Sequence, residues 1–152
     1  NMTFTNSSFN NNEFNSWGPL ISSYYASNLN INNCNFVNNK SSNLINDPQN
    51  SIIRFHQGEE QGSMNIYNSE FENNASYYGT IYTTDCTESI ISESIFSNNE
   101  AFSSEGGGAL YLSSGTSIQI LDSEFRGNSA IKGGAIHENG ASNIILSANG
   151  SA

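Results

Sequence analysis

Basic residues are scarce in this chain. Lys40, Arg54, Arg126 and Lys132 stand against 14 acidic residues in 152, a formal net charge of −10. Four cations cannot neutralise a run of phosphates, which excludes nucleic acid as a partner. An anionic membrane surface repels the chain for the same reason. Long apolar runs are also missing, and nothing approaches the roughly 20 residues of a spanning helix, so no membrane span is expected. Cysteine is nearly absent. Cys34 and Cys86 lie in distant repeat units, whereas a disulfide needs Cα atoms within about 7 Å. A disulfide-stapled fold is therefore excluded, and Cys34 is expected as a buried free thiol. The chain has no Gly-x-Ser-x-Gly, no phosphate loop, no Cys-x-x-Cys and no Gly-Gly-x-Gly-x-Asp calcium repeat. No cofactor or metal is expected. Because the chain opens on Asn1 already inside a repeat, it is expected to be a mature product or a segment of something longer.

What the chain has in abundance is asparagine and serine, and they are placed in register. Five times a phenylalanine is followed three residues later by an asparagine: Phe9/Asn12, Phe36/Asn39, Phe71/Asn74, Phe96/Asn99 and Phe125/Asn128. Five residues before each Phe stands a large apolar residue, namely Phe4, Ile31, Ile66, Ile91 and Ile120. Two residues before it stands a small one: Ser7, Cys34, Ser69, Ser94 and Ser123. With 26 Asn in 152 residues, five hits at one offset have a chance probability on the order of one in ten thousand. The chain is an internal repeat, with steps of 27, 35, 25 and 29 residues between successive Phe.

A second feature follows each Phe by about ten residues, a small residue or turn and then an apolar pair. It reads Gly18-Pro19-Leu20-Ile21, Ser42-Asn43-Leu44-Ile45, Tyr78-Gly79-Thr80-Ile81, Gly107-Gly108-Ala109-Leu110 and Gly133-Gly134-Ala135-Ile136. Each repeat therefore holds two or three short extended runs broken by Gly, Asn and Ser, with no helical periodicity. Such a unit cannot bury a core alone and must stack on its neighbours. Paired Gly-Gly-Ala-Ile/Leu and Phe-x-x-Asn motifs resemble those of the polymorphic outer-membrane proteins of chlamydiae and related right-handed parallel β-helix repeats. The resemblance spans roughly residues 2 to 146. It implies a secreted or surface-displayed β-helix serving in adhesion or as a structural stalk.

The expected fold is thus all-β, a single right-handed parallel β-helix over residues 1–152 with about five to six coils and uncapped ends. The five Phe should stack in one internal ladder at about 4.8 Å per coil. The ladder asparagines Asn12, Asn39, Asn74, Asn99 and Asn128 sit where the chain turns, their amides bonding to the coils above and below. Sequons mark Asn1, Asn6, Asn39, Asn74 and Asn149 as glycosylation candidates. At Asn39 and Asn74 the two expectations conflict, because a glycan needs an outward side chain and a ladder an inward one.

Catalytic readings find little support. The candidate catalytic carboxylates are Asp85, Glu88, Glu93 and Asp122, with Glu59 and Glu60 in an inserted loop. Glu93 and Asp122 share one position in adjacent repeats, but their counterparts Asn6, Asn33 and Asn68 suggest solvated turns. His56 and His137 show no metal-pair spacing. A β-helix polysaccharide lyase or hydrolase is the enzymatic alternative. The favoured reading is a non-enzymatic, extracellular or cell-surface fibre or stalk component. Its partners would be copies of itself, head to tail, or flanking coils of the same chain, with N-glycans possible. The strand edge at Met2-Thr3-Phe4 would meet that at Ile144-Ile145-Leu146. The other alternative is an adhesin that binds a ligand on its flank, for which Trp17, Tyr24-Tyr25 and Tyr77-Tyr78 are the outward aromatic candidates.

Overall fold

The structure is a computed structural model that describes residues 1–14, 18–25, 28–42, 50–56, 62–140 and 143–148. Among the described residues every regular element is a strand, and every strand pairing is parallel. The chain coils as a β-solenoid of about five turns with four short strands per coil. Four parallel sheets run along its sides. Face one stacks Met2–Thr5, Asn28–Asn32, Ser63–Tyr67, Ser89–Ser92, Ser117–Leu121 and Asn143–Ser147. Face two stacks Ser8–Asn10, Asn35–Val37, Glu70–Glu72, Ile95–Ser97 and Glu124–Arg126. Face three holds the two-residue strands Glu13–Phe14, Lys40–Ser41, Ala75–Ser76 and Glu100–Ala101. Face four stacks Ile21–Tyr24, Ser51–His56, Gly79–Thr84, Leu110–Ser113 and Ile136–Asn139. Four strands per coil exceed the two or three expected, because runs as short as Ala75–Ser76 carry no periodicity of their own.

The register follows the sequence repeat. On face two Phe9 pairs Phe36, Phe36 pairs Phe71, Phe71 pairs Phe96 and Phe96 pairs Phe125. Their rings lie 4.7, 4.9, 4.6 and 4.8 Å apart and within 7° of parallel. On face one Phe4, Ile31, Ile66, Ile91, Ile120 and Leu146 form one column. Face four closes the core with Ile21, Ile53, Ile81, Leu110 and Ile136. The middle rungs are sealed, with Ile31, Phe36, Ile66, Phe71, Ile91 and Phe96 fully buried. Apolar burial at about 25 cal/mol per Å² makes this column the main source of stability.

One correction concerns the second coil. Its face-four strand is Ser51–His56, with Ile53 in the apolar column, and not Ser42-Asn43-Leu44-Ile45. The long 35-residue step carries extra chain between Ser42 and that strand, and residues 43–49 lie outside the described residues.

Among the described residues left-handed corners recur from coil to coil, and two of them flank face two. The first falls at Asn6, Asn33, Asn68, Glu93 and Asp122, with φ between 44° and 52°. The second falls at Asn11, Asn38, Asn73 and Asn98, with φ between 53° and 57°, and at Gly127, φ 61°. Asn tolerates this region better than other residues with a Cβ, which explains much of the composition. The turning residue is therefore the one before the ladder Asn, and that geometry swings the next side chain inward. Among the described residues no helix is long and apolar enough to cross a membrane.

Candidate functional site

Three sets of side chains carry the candidate chemistry: an inner amide column, a serine column beside it, and an outer flank. The inner column consists of Asn12, Asn39, Asn74, Asn99 and Asn128. Asn74 illustrates it. Its Oδ1 accepts the backbone N–H and the Nδ2–H of Asn39, each at 3.0 Å. Its own Nδ2 donates to the Phe36 carbonyl at 2.8 Å and to Asn99 Oδ1 at 3.0 Å. Asn39 and Asn99 repeat the pattern, donating to the carbonyls of Phe9 and Phe71 and to Asn74 and Asn128. The amide thus satisfies backbone groups that the corner has removed from the sheet ladders.

The serine column went unrecognised as a hydrogen-bonding device, although its residues stood in the repeat. Backbone N–H groups of Cys34, Ser69 and Ser94 donate to the hydroxyls of Ser69, Ser94 and Ser123 at 3.1 to 3.2 Å. Each of these serines donates in turn to the carbonyl two residues earlier, those of Tyr67, Ser92 and Leu121. Cys34 occupies the same place and donates its Sγ–H to the Asn32 carbonyl. Both Cys34 and Cys86 are buried free thiols.

Asn39 and Asn74 have exposures of 0% and 1%. Their amide nitrogens lie inside the coil, so the inward placement takes these two sequons and no sugar transferase reaches them in the folded chain. Asn1 and Asn6 are exposed, while Asn149 lies outside the described residues. The edge residues Met2, Phe4 and Ile144 are half-buried and Thr3, Ile145 and Leu146 exposed.

Glu93 and Asp122 are exposed left-handed corners one rung apart, following the paired Ser92 and Leu121, and Asp85 closes face four at φ 57°. Glu88 is likewise an exposed left-handed residue, φ 54°, and Glu59 and Glu60 lie outside the described residues. Among the described residues no three His, Cys, Asp or Glu side chains gather as a metal site. An apolar hollow of about 390 Å³ at the last rung is walled by Ile120, Phe125, Ile136 and Leu146 and holds no titratable group.

The outer flank of face four is where aromatic and cationic side chains meet. Alternation puts Ile53 and Phe55 inside, so Arg54 and His56 point out; Ile81 and Leu110 likewise leave Tyr82 and Tyr111 on the outer side of the sheet, where both are nonetheless buried. Tyr82 and Tyr111 stack at 5.2 Å, with Tyr78 edge-on to both and His137 edge-on to Tyr111. Asn139 donates to the Tyr111 hydroxyl at 2.8 Å, and His137 donates Nδ1–H to the Glu105 carbonyl. Burial pushes the Tyr82 phenol pKa up, a nearby Ser113 hydrogen bond opposing it. At the first two coils Tyr24 lies 4.6 Å from His56 and 4.7 Å from Tyr25, with the Arg54 guanidinium 5.0 Å over its ring. Burial lowers the His56 pKa, Arg54 lowers it further and Asp85 partly opposes. Trp17 lies outside the described residues. Apart from the tyrosine pairs, this flank escaped sequence reading. The available signal was the alternation of Ile, Leu and Phe with Arg, Tyr and His inside the apolar runs.

With the coil described, its likeness can be stated. Residues 93–113 match the Chlamydia polymorphic membrane protein (Chlamydia_PMP) repeat. That segment runs from the corner Glu93 through Phe96 and Asn99 to Gly107-Gly108-Ala109-Leu110 and Ser113, three of the four strands of one coil. No curated protein and no solved structure matches the chain. The chain is a parallel β-solenoid, and in residues 93–113 it is similar to the repeat of the Chlamydia polymorphic membrane proteins, the family its paired motifs resemble.

Proposed function

We propose that the chain is a non-enzymatic structural stretch of a cell-surface stalk or fibre. The observation that supports this best is the unbroken amide column from Asn12 to Asn128, linked coil to coil by side-chain bonds of 2.8 to 3.0 Å. Hydrogen bonding and ring stacking along the axis resist bending and opening, the property a stalk requires. The family description, a membrane protein repeat, supports display at a surface. Among the described residues the candidate carboxylates Glu88, Glu93 and Asp122 are exposed left-handed turn positions, which supports a solvated rather than a catalytic role for them.

Stacking extends along the axis. The edge at Met2–Thr5 and the edge at Asn143–Ser147 belong to the same sheet, so a further coil, from the same chain or a second copy, continues its register. Electron microscopy of the purified chain at high concentration should show thin filaments with an axial repeat of about 24 Å, five coils at about 4.8 Å each. Leu146→Asp, which places a charge on the terminal rung, should stop their growth. Dispersed monomers under all conditions would remove self-assembly from the proposal. Turnover of any acidic or neutral polysaccharide, with or without calcium, would remove the non-enzymatic reading.

The adhesin reading has one observation in its favour, the aromatic and cationic flank of face four, whose ligand chemistry is taken up next.

A further inference from the structure

Tyr25 stands where its conformation costs energy. It is a left-handed residue, φ 52°, and bulky side chains rarely adopt that region. The left-handed residues that close face four elsewhere are Asp85, Gly115 and Gly140, types that tolerate it. Its ring recovers little by burial, since Tyr25 is 61% exposed and its neighbour Tyr24 47%. Backbone strain held for a side chain that faces solvent marks a position selected for contact with something outside the chain.

The surroundings define that contact. Tyr24 and Tyr25 meet edge to face, His56 lies beside both, and the Arg54 guanidinium covers one face of Tyr24. Arg126 and Lys132 are each neutralised by a glutamate, at 3.0 and 2.7 Å. Arg54 has no carboxylate partner among the described residues, and its Nε and His56 Nδ1, both buried beneath the tyrosines' side of the strand, have no hydrogen-bond partner there. In a chain of net charge −10, this leaves one aromatic spot with a cation held in no close ion pair, Asp85 acting there only at longer range. A pyranose ring offers an apolar face for a tyrosine and equatorial hydroxyls at its rim. A uronic acid adds the carboxylate that a guanidinium recognises. Bases also stack on tyrosine, but a run of phosphates needs several cations to hold it, whereas a single uronate carboxylate needs one, and this spot offers one.

We propose that Tyr24, Tyr25, Arg54 and His56 form a binding site for an acidic glycan. Tyr25 supplies the stacking face and Arg54 the contact to the uronate carboxylate. The site needs no filament and no catalysis, so it stands or falls apart from the structural role.

The test uses the intact chain and immobilised oligosaccharides of galacturonate, glucuronate and mannuronate, each beside its neutral counterpart. At least one uronate should bind, with its neutral counterpart about tenfold weaker or more. Tyr25→Asn should weaken that binding about tenfold while the melting temperature stays level or rises, because Asn suits a left-handed corner. Arg54→Gln should remove the preference for the acidic sugar. The proposal is overturned if no uronate binds, if neutral sugars or single-stranded DNA bind equally well, or if Tyr25→Asn leaves binding intact. It is also overturned if Tyr25→Asn lowers the melting temperature, since the ring would then be a packing element.

Discussion

Asn74→Asp changes one atom of the inner column and tests its logic. The side chain keeps its shape, and the oxygen that accepts from Asn39 twice remains. What disappears are the two Nδ2–H donations to the Phe36 carbonyl and to Asn99 Oδ1. In the protonated acid one hydroxyl replaces two donors, and the loss is about 2 kcal/mol at roughly 1 kcal/mol per bond with one acceptor orphaned. Ionised, a charge sits at a position 1% exposed, facing two acceptor oxygens with no cation to offset it, which adds about 3 kcal/mol or more. Burial and those oxygens raise the carboxyl pKa of the folded variant above its unfolded value of about 3.9. Stability is then retained below that unfolded pKa and lost as pH rises through the folded one. Urea unfolding of variant and parent at pH 4 and pH 7.5, followed by circular dichroism, should show the difference growing with pH. Asn73→Asp, one residue away at an exposed left-handed corner, is the control and should cost less than about 1 kcal/mol. A loss at position 74 below about 1 kcal/mol at pH 7.5, or one independent of pH, would refute the account of the column.

Three further outcomes follow from the same coil. Phe71→Ala empties the middle of the ring stack and should cost about 3 to 5 kcal/mol by urea titration, whereas Phe125→Ala, on a partly exposed rung, should cost clearly less. Gly107→Ala places a Cβ 2.1 Å from the Leu110 carbonyl and 2.6 Å from the His137 nitrogen, so it should lower the urea midpoint sharply; Gly18→Ala, which meets nothing within 4 Å, should not. Because burial and Arg54 depress the His56 pKa, the unfolded chain takes up the proton first as pH falls below about 6.5. Stability should therefore decline on acidification through that range, and His56→Gln should flatten the decline.

The fold was legible because two kinds of residue kept a five-fold register. Phe at one position and Asn three later can coexist only if each coil presents the same two sites to its neighbours, and the ring spacing and amide column follow. Loop length was less legible. Ser42-Asn43-Leu44-Ile45 resembled the start of a face-four strand, yet that strand begins at Ser51, because an apolar pair after a small residue is a weak local signal and only pairing with Ile21 and Ile81 decides it. The left-handed corners were half visible: the Asn-Asn doublets at 11–12, 38–39, 73–74 and 98–99 hold a turning residue and an inward one, and the two roles look alike in one letter. The outer flank was least legible, since Arg54, Tyr82 and Tyr111 come together only through coiling and lie 28 and 29 residues apart.

The inner amide column also has a direction. Asn12 donates to Asn39, Asn39 to Asn74, Asn74 to Asn99 and Asn99 to Asn128. On the outer corners the sense is reversed, for Asn33 donates to Asn6, Asn68 to Asn33 and Asn38 to Asn11. Opposed rows of amide dipoles offset part of each other's field along the axis. Its two ends are different surfaces, one offering the acceptor oxygen of Asn12 and the other the donor hydrogen of Asn128. Any coil that continues the column must arrive tail to head, because two like ends would set oxygen against oxygen or hydrogen against hydrogen. A fibre built this way grows with a fixed sense, and every unit in it points the same way.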